Sequence, residues 1–228
     1  MNIVLLGPPG AGRGTQAALL EKKYRIPKIS TGDIFQKELW HESDLGKKIR
    51  GPVKSGQMLP DALVNHLVFH QMQSTDCSRG FVLDGYPRTV TQAQALDHHL
   101  AATKQPLHLV LLLELDASIL TDRLAYRRVC PKGHGEWNIR LRPSKLGNQC
   151  EVCKATLVQR EDDNPQSIRN RLLMYAKNIE SLKKYYGGRD LIRAVDAQGS
   201  PDETTQRIEA ALREVPAVAE SKHFKQPG

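Results

Sequence analysis

A glycine-rich segment close to the N-terminus has the composition and spacing of a phosphate-binding loop. Residues 7–15 read Gly-Pro-Pro-Gly-Ala-Gly-Arg-Gly-Thr, between a short apolar run and a helical pattern. Glycines let backbone N–H groups curve around a phosphate, and the N-terminus of the following helix adds a partial positive charge. The spacing fits the pattern G-x-x-x-x-G-K-[ST], except that Arg13 occupies the lysine position and Gly14 precedes Thr15. A glycine-rich turn without a ligand is the alternative, and the strand and helix on either side favour the phosphate site.

An acidic side chain at the end of an apolar run is the second candidate. Residues 80–83 read Gly-Phe-Val-Leu and lead directly into Asp84. Proteins with a phosphate-binding loop use such an aspartate to organise Mg²⁺, either directly or through water. Many buried strands end in aspartate, so Asp84 indicates a magnesium site only in combination with the glycine-rich segment.

Three of the four cysteines and one histidine form the third candidate site. The spacing is Cys130-x3-His134-x15-Cys150-x2-Cys153. Thiolate and imidazole ligands on two short turns suit tetrahedral Zn²⁺, although iron or cobalt could occupy the same site. The alternatives are a region without metal and with reduced thiols, or three cysteines with water as the fourth ligand. The water-bound form is disfavoured because an open position usually belongs to a catalytic zinc.

The composition describes a folded protein without a membrane segment. The chain has 228 residues, of which 39% are hydrophobic, enough to bury a sizeable core and too apolar for a disordered chain. No apolar run approaches the roughly 20 residues that span a bilayer, and the N-terminus lacks a signal-peptide pattern. A cytoplasmic protein is therefore expected. The net charge of +8 suits a polyanionic ligand, either a nucleotide or a nucleic acid.

Apolar runs of strand length alternate with helical patterns, which is typical of an α/β fold with a parallel sheet. Strands are predicted at residues 2–6, 27–29, 81–83, 107–113 and 191–195. Helices are predicted after the glycine-rich loop, after Thr31 as N-cap, and at residues 61–73, 89–100, 117–127, 166–186 and 201–213. Residues 129–163 lack a sustained helical period and predict an inserted small β domain.

These features together resemble the adenylate kinase family, in its bacterial form with a long lid. The resemblance is carried, in the same order, by residues 7–15, 30–33, 84–89 with Gln92, 127–130, and 160–163 with Arg169 and Arg171. It runs from residue 1 to about residue 213, and the combination is specific for nucleoside monophosphate kinases. The segment Asp-Gly-Tyr-Pro-Arg at residues 84–88, together with Gln92, indicates adenylate as the substrate.

The resemblance implies a phosphoryl-transfer enzyme that interconverts ATP + AMP and two ADP with Mg²⁺, in adenine nucleotide homeostasis. It implies the α/β P-loop nucleoside monophosphate kinase fold, a parallel sheet flanked by helices. The expected divisions are a core of residues 1–29, 60–126 and 164–214, an AMP-binding insertion of residues 30–59, a β-rich lid of residues 127–163 that holds the metal, and a flexible tail of residues 215–228. A monomer is expected, with ATP, AMP and ADP as ligands and without nucleic acid or membrane partners.

The resemblance also implies roles for individual residues. The catalytic residues would be Arg13, Asp84, Arg88, Arg123, Arg127, Arg160 and Arg171. The ATP contacts would be Gly10, Ala11, Gly12, Arg13, Gly14, Thr15, Arg127, Glu136, Trp137 and Gly199. The AMP contacts would be Thr31, Gln36, Gln57, Met58, Leu59, Gly85, Tyr86, Pro87, Arg88, Gln92, Arg160 and Arg171. The Gln92 amide would recognise adenine, and the planar guanidinium groups match phosphate oxygens.

Three positions depart from the family pattern. Arg13 stands where the family has lysine, and Gln36 stands where it has an arginine that binds the AMP phosphate. Lys37 does not compensate for Gln36, because adjacent residues of a helix point about 100° apart. Gly133 stands at the expected second metal ligand, so His134 has to supply that ligand in place of a cysteine.

The departures leave a choice between an active and an inactive relative. We expect a working kinase that Arg13 slows, and the alternative is a non-catalytic nucleotide-binding protein of the same fold. A zinc-ribbon protein that binds nucleic acid through a basic lid is a third reading. It is disfavoured because Trp137 is the only aromatic residue of the lid, whereas such sites interleave several aromatic and basic residues.

Overall fold

A five-stranded parallel sheet forms the centre of the fold in the computed structural model, which describes residues 1–41 and 43–216. The strands are Asn2–Leu6 (β1), Lys28–Ser30 (β2), Phe81–Asp84 (β3), Leu109–Glu114 (β4), Arg127–Val129 (β5), Glu136–Asn138 (β6) and Ile192–Asp196 (β7). The strand order of the sheet is β2-β3-β1-β4-β7. The helices are Arg13–Tyr24 (α1), Thr31–Trp40 (α2), Asp44–Lys54 (α3), Asp61–Gln73 (α4), Val90–Ala102 (α5), Ala117–Ala125 (α6), Pro165–Gly187 (α7) and Pro201–Arg213 (α8).

The apolar strand residues explain why this sheet is central. All five residues of β1 and the first five of β4 are buried, as expected for parallel strands that are covered on both faces. Ile3 and Leu111 pack with Leu20 of α1 and Ile208 of α8 in one apolar cluster. The predicted parallel sheet flanked by helices is thereby confirmed.

The chain divides into two compact units. The core unit comprises Met1–Gly32, Pro60–Leu115 and the chain from Tyr175 onward, and it contains the five-stranded sheet. The second unit comprises Asp33–Leu59 and Asp116–Met174. It contains the antiparallel pair β5-β6, and a short 3-10 turn, Glu161–Asp163, precedes α7. The finer division into a core, an AMP-binding insertion and a lid stays a prediction.

The parallel register places polar residues at one edge of the sheet. Asp84 at the end of β3 is aligned with Leu5 of β1 and with Ser30 of β2. The loop of residues 7–12 starts from the same edge, because it directly follows β1. The carboxyl ends of parallel strands are where α/β folds bind their ligands, so this edge positions the candidate site.

Most of the predicted elements are confirmed, with bounds that move by a few residues. α8 has the predicted bounds, and its start is fixed by a capping box in which the Ser200 hydroxyl accepts from the Glu203 N–H and the Glu203 carboxylate accepts from the Ser200 N–H. Helix α3 was not predicted, since Gly46, Gly51 and Pro52 interrupt its helical pattern. It forms with Ser43 as its N-cap, whose hydroxyl accepts from the Gly46 N–H at 2.9 Å.

Three further expectations have different outcomes. Thr31 is the first residue of α2 and not its N-cap, and its hydroxyl donates instead to the Gly85 carbonyl. The inserted β domain has two three-residue strands and isolated bridges, so its regular β content is small in the described part of the chain. Most of the predicted tail, residues 217–228, lies outside the described residues. Within residues 1–41 and 43–216, no helix combines the length and the apolar character needed to cross a bilayer.

Candidate active site and metal centre

The loop between β1 and α1 has the backbone geometry of an anion-binding turn. Gly7, Gly10 and Gly12 have positive φ angles of 146°, 89° and 88°, which only glycine adopts without strain. A Cβ at Gly7 would lie 2.8 Å from the Leu113 carbonyl oxygen, so no larger residue fits there. The first turn of α1 carries no acidic side chain, and its N–H groups lack intrahelical acceptors. This end of the helix, residues 12–15, is therefore suited to a phosphate.

The Arg13 side chain contacts the start of this loop and the end of β3. Its Nε donates to Asp84 Oδ1 at 3.1 Å, and its Nη1 donates to the Gly7 carbonyl. The second carboxylate oxygen of Asp84 accepts from the Ser30 hydroxyl at 3.3 Å. The guanidinium thus forms an ion pair with the aspartate that was predicted to organise Mg²⁺.

A second group of the core unit surrounds Gly85. Thr31 Oγ1 donates to the Gly85 carbonyl at 3.1 Å, and Arg88 Nε donates to the same oxygen at 2.8 Å. Gly85 has a positive φ of 76°, and a Cβ on it would lie 2.8 Å from Thr31 Oγ1. The absence of that Cβ lets Thr31 and Arg88 approach each other, so three of the predicted AMP contacts lie together.

Gln92, Tyr86, Pro87 and Gly199 are further predicted residues of the core unit. Gln92 is 1% exposed, and its side chain joins Asp61 to the backbone N–H of Arg88. Tyr86 is fully buried and is linked to Pro87 by a cis peptide bond. Gly199 directly precedes the capping box of α8, and a Cβ on it would clash with Glu203.

In the second unit, two adjacent aspartates hold three of the predicted arginines. Arg127 donates to both oxygens of Asp163, at 2.8 Å from Nε and 2.6 Å from Nη2. Arg160 donates to both oxygens of Asp162 at 2.8 and 2.9 Å. Nη1 of Arg171 lies 3.1 Å from an oxygen of each aspartate. We call these five residues the arginine–aspartate network.

The two aspartates of the network are buried and its three arginines are partly buried, and ion pairing favours the charged forms of Asp162 and Arg127. Asp162 is 5% exposed, and although burial raises its pKa, Arg160 and Arg171 outweigh burial and hold that pKa well below its usual range. Burial lowers the pKa of Arg127, but Asp163 and Glu136 outweigh it and hold that pKa above its usual range. Asp162 and Asp163 fix the orientation of the guanidinium groups. Oriented donors need little reorganisation to bind a phosphate.

Two buried donors of the second unit have no partner among residues 1–41 and 43–216. They are Nε2 of Gln36, which is 6% exposed on α2, and Nε of Arg123 on α6. Burial lowers the pKa of Arg123. A buried donor without an acceptor costs roughly 1–3 kcal/mol, so both groups are suited to donate to a ligand or to water.

The other predicted residues of the second unit fall in three places. The segment of Gln57, Met58 and Leu59 follows Gly56, on which a Cβ would lie 3.1 Å from Arg171 Cγ. Glu136 Oε2 is 3.6 Å from Arg127 Nη1. Trp137 is buried and packs against Cys130 and Cys150, so its ring belongs to a small apolar cluster.

Three cysteines and a histidine of the second unit converge on one point. The ligand atoms of Cys130, His134, Cys150 and Cys153 all lie within 4.8 Å of one another. Cys130 Sγ is 3.4 Å from His134 Nδ1 and 3.5 Å from Cys153 Sγ, and Cys150 Sγ is 4.0 Å from His134 Nδ1. A tetrahedral zinc site with ordinary bond lengths has edges of about 3.5–3.8 Å. The group therefore fits a metal ion of that size.

The backbone conformation and local hydrogen bonds prepare this group for a metal. Gly133, with a positive φ of 78°, forms the turn that brings His134 back toward Cys130. Burial raises the pKa of the Cys150 thiol, but backbone N–H groups of Cys153 and Val152 outweigh it and lower that pKa to about 7. A thiol with that pKa is readily deprotonated, and the thiolate is the form that binds a metal.

The comparisons with known proteins agree with this geometry. A sequence model of the family described as adenylate kinase matches residues 5–191. The chain is 39% identical over 212 residues to an adenylate kinase of Clostridium kluyveri, covering 93% of this chain and 98% of that protein. It is 40% identical over 208 residues to an adenylate kinase of Clostridium novyi, covering 91% and 96%, and 40% identical over 212 residues to one of Caldanaerobacter subterraneus, covering 93% and 96%.

The chain belongs to the adenylate kinase family. Adenylate kinases are nucleoside monophosphate kinases, which are phosphotransferases that use Mg²⁺ with ATP in the reaction ATP + AMP = 2 ADP. Membership of this family confirms the predicted P-loop kinase fold, and it favours the kinase over the non-catalytic alternative.

Three residues that hold side chains of the candidate site were not predicted from the sequence of this adenylate kinase family member. Asp162 and Asp163 orient the arginines of the network, and Asp61 holds the side chain of Gln92. The acidic run of residues 161–163 directly after Arg160 is a signal in the sequence, because charges that become buried need partners. Asp61 gave no such signal, since its partner Gln92 lies 31 positions away.

The first prediction concerns the metal centre. We expect about one metal ion per purified chain, lost in a Cys150→Ser variant together with a lower melting temperature, because so small a unit gains stability from its metal. Cys77→Ser is the matched control, since the Cys77 thiol donates to the Met72 carbonyl far from the cluster in sequence, and it should retain the metal. Elemental analysis measures the metal content of the two variants, and thermal unfolding measures their melting temperatures. Stoichiometric metal after replacement of all three cluster cysteines would contradict the site.

The second prediction concerns Arg13. Its guanidinium is wider than an ammonium and is engaged by Gly7 and Asp84, so charge is retained while alignment on the transferred phosphoryl group is poorer. We expect Arg13→Lys to raise kcat with little change in KM for ATP, because a displacement near 1 Å can cost on the order of 100-fold in rate. Steady-state kinetics at saturating Mg²⁺ measure this, with the exposed Arg25→Lys as control. A variant that is no faster would show that the loop has adapted to arginine.

Proposed function

We propose that this chain transfers the γ-phosphoryl group of Mg²⁺-bound ATP reversibly to AMP, using the residues that the resemblance assigns. Family membership supports the reaction, and the arginine–aspartate network is the observation that carries the residue roles. The network supplies three oriented guanidinium groups, Arg127, Arg160 and Arg171, in one buried cluster. Phosphoryl transfer depends on such positioning and charge neutralisation more than on covalent catalysis.

We propose the following division of roles in the core unit. The loop of residues 10–15 and Arg13 would bind the ATP phosphates. Asp84, whose carboxylate accepts from Arg13 and Ser30, would hold Mg²⁺ directly or through water, and the ion would supply neutralisation of phosphate charge. Thr31, Arg88 and Gln92 bind AMP. No side chain has to act as a strong base, because the attacking phosphate is already an anion.

The second unit would supply the remaining contacts. Arg123 and Arg127 serve ATP, Arg171 serves AMP, and Arg160 serves the transferred phosphoryl group. The buried amide of Gln36 donates to the AMP phosphate in place of the family arginine, which is supported by its unpartnered Nε2 among the described residues. Glu136 and Trp137 would contact the ATP nucleoside, as would Gly199 of the core unit, and Gln57, Met58 and Leu59 would line the AMP site.

Zinc is the metal that we propose for the cysteine–histidine cluster. Four ligands of the S₃N type close the coordination shell and leave no position for a substrate, which is typical of a structural zinc site. Its role would be to stabilise a lid with a small apolar core, formed by Cys130, Trp137, Cys150 and Leu157. The monomeric state and the cytoplasmic location stay predictions.

A coupled assay of ADP formation tests the proposed reaction. ATP and Mg²⁺ are supplied with AMP, CMP, GMP or UMP as the acceptor. We expect turnover with AMP and little with the other three nucleotides. Binding of ATP and AMP without transfer, even in a single-turnover measurement, would instead support the non-catalytic alternative.

The third prediction concerns Gln36. A charge-assisted hydrogen bond contributes roughly 1.5–3 kcal/mol, and 1.4 kcal/mol corresponds to a factor of ten. We therefore expect Gln36→Arg to lower KM for AMP by one to two powers of ten and to leave KM for ATP nearly unchanged. Gln36→Met, which keeps the length and removes the donor, is the control and should raise KM for AMP. An unchanged KM for AMP in Gln36→Arg would mean that another cation already fills this role.

A further inference from the structure

The carboxylate of Asp61 joins the starts of two helices. Asp61 is the first residue of α4, and Thr89 is the N-cap of α5. Asp61 Oδ1 accepts from Gln92 Nε2 at 2.7 Å, and Oδ2 accepts from the Thr89 hydroxyl at 2.9 Å. One acidic side chain therefore fixes both the cap of α5 and a side chain in its first turn.

The Gln92 side chain is also held at its other end. Its Oε1 accepts from the backbone N–H of Arg88 at 2.7 Å. A carboxylate such as that of Asp61 can only accept a hydrogen bond, and a backbone N–H can only donate one. The Gln92 carboxamide therefore cannot turn over by 180° without losing both bonds and placing its oxygen against the carboxylate.

The backbone beneath this side chain is fixed as well. The Tyr86 hydroxyl lies 3.1 Å from the Gln92 carbonyl oxygen and donates to Asn65 Oδ1 at 2.7 Å. The Tyr86 ring is fully buried and packs edge-on against Phe69. The Gln92 backbone lies in the first turn of α5 next to this hydroxyl, and the side-chain amide is held at both ends.

A fixed carboxamide has a defined hydrogen-bonding pattern to offer. It has two N–H donors and two acceptor lone pairs, and the bonds to Asp61 and Arg88 use one of each. The remaining donor and acceptor match the Watson–Crick edge of adenine, which presents the N6 amino donor beside the N1 acceptor. A 6-oxopurine such as hypoxanthine presents the reverse order at that edge, the O6 acceptor beside the N1–H donor, and mismatches at both atoms.

We propose that Asp61 is a positioning residue that determines base selectivity: by fixing the orientation of the Gln92 carboxamide, it favours adenine and excludes 6-oxopurines at the monophosphate site. The inference rests on the proposed function, in which Gln92 contacts the base of AMP. Asp61 acts only through Gln92 and itself contacts neither the base nor a phosphate.

IMP is the probe that isolates this effect, because it differs from AMP at the edge in question and lacks the additional amino group of GMP. We expect the wild-type chain to prefer AMP over IMP at least about 100-fold in kcat/KM, since a mismatch leaves buried polar groups unpaired. Asp61→Asn keeps the shape, but its amide can donate to Gln92 as well as accept from it. The ratio of kcat/KM values for AMP and IMP should then fall about tenfold, because one of the two restraints on the carboxamide is removed.

Thr89→Val is the matched control. It removes the other partner of the Asp61 carboxylate together with the cap of α5, and it leaves the bond between Asp61 and Gln92 in place. We expect a lower melting temperature and an unchanged ratio. If Asp61→Asn reduces kcat/KM for AMP and IMP by the same factor, Asp61 has only a structural role and the proposal is wrong.

A crystal structure of the wild-type chain with AMP tests the proposal independently of any variant. Gln92 Nε2 should remain within hydrogen-bond distance of Asp61 while the side chain contacts the base. Departure of Gln92 from Asp61 on AMP binding would overturn the proposal even if the Asp61→Asn protein does not fold.

The outcomes also separate this proposal from the proposed function. Absence of transfer to AMP in the wild-type chain would overturn both. An unchanged AMP preference in Gln92→Ala would show that Gln92 does not recognise the base, which overturns the proposal and that single role. A preference that is lost in Gln92→Ala and retained in Asp61→Asn would overturn the role of Asp61 alone.

Discussion

The burial of a parallel sheet on both faces is the constraint on which the rest of the structure depends. The buried residues of β1 and β4 are apolar apart from Asn2 at the start of β1, so the polar candidate residues Ser30 and Asp84 lie at the ends of their strands. The register then aligns Ser30, Asp84 and the start of the glycine-rich loop at one edge. Helix α1 begins directly after that loop and directs the positive end of its dipole to the same place.

Four of the candidate arginines, Arg13, Arg127, Arg160 and Arg171, are held by acidic partners. Arg13 is paired with Asp84 in the core unit, and the arginines of the network are paired with Asp162 and Asp163 in the second unit. Burying unpaired charges would be very costly, whereas a paired fork can remain buried and keep its geometry. The same ion pairs therefore stabilise the fold and limit the reorganisation that phosphate binding requires.

The sequence was informative where one short segment determines both structure and chemistry. The glycine-rich loop, the strand that ends in Asp84 and the cysteine–histidine spacing each carry their own signal. Helix α3 could not be predicted, because its capping by Ser43 and its packing outweigh the glycines and the proline within it. The pairing of Asp61 with Gln92 could not be predicted either, since contacts between residues far apart in sequence depend on tertiary structure.

Two of the departures from the family pattern, Arg13 and Gln36, affect different aspects of phosphate binding. Arg13 keeps the charge of the family lysine and changes its shape, while Gln36 keeps a hydrogen-bond donor and loses the charge. Long-range neutralisation of phosphate depends on charge, whereas the rate of an in-line transfer depends on alignment to within about 1 Å. A nucleotide can adjust its position in a site that keeps its positive charge, as with Arg13. It cannot replace a cation that the site lacks, as with Gln36. We therefore expect Arg13 to act mainly on the chemical step and Gln36 to act mainly on the affinity for the monophosphate.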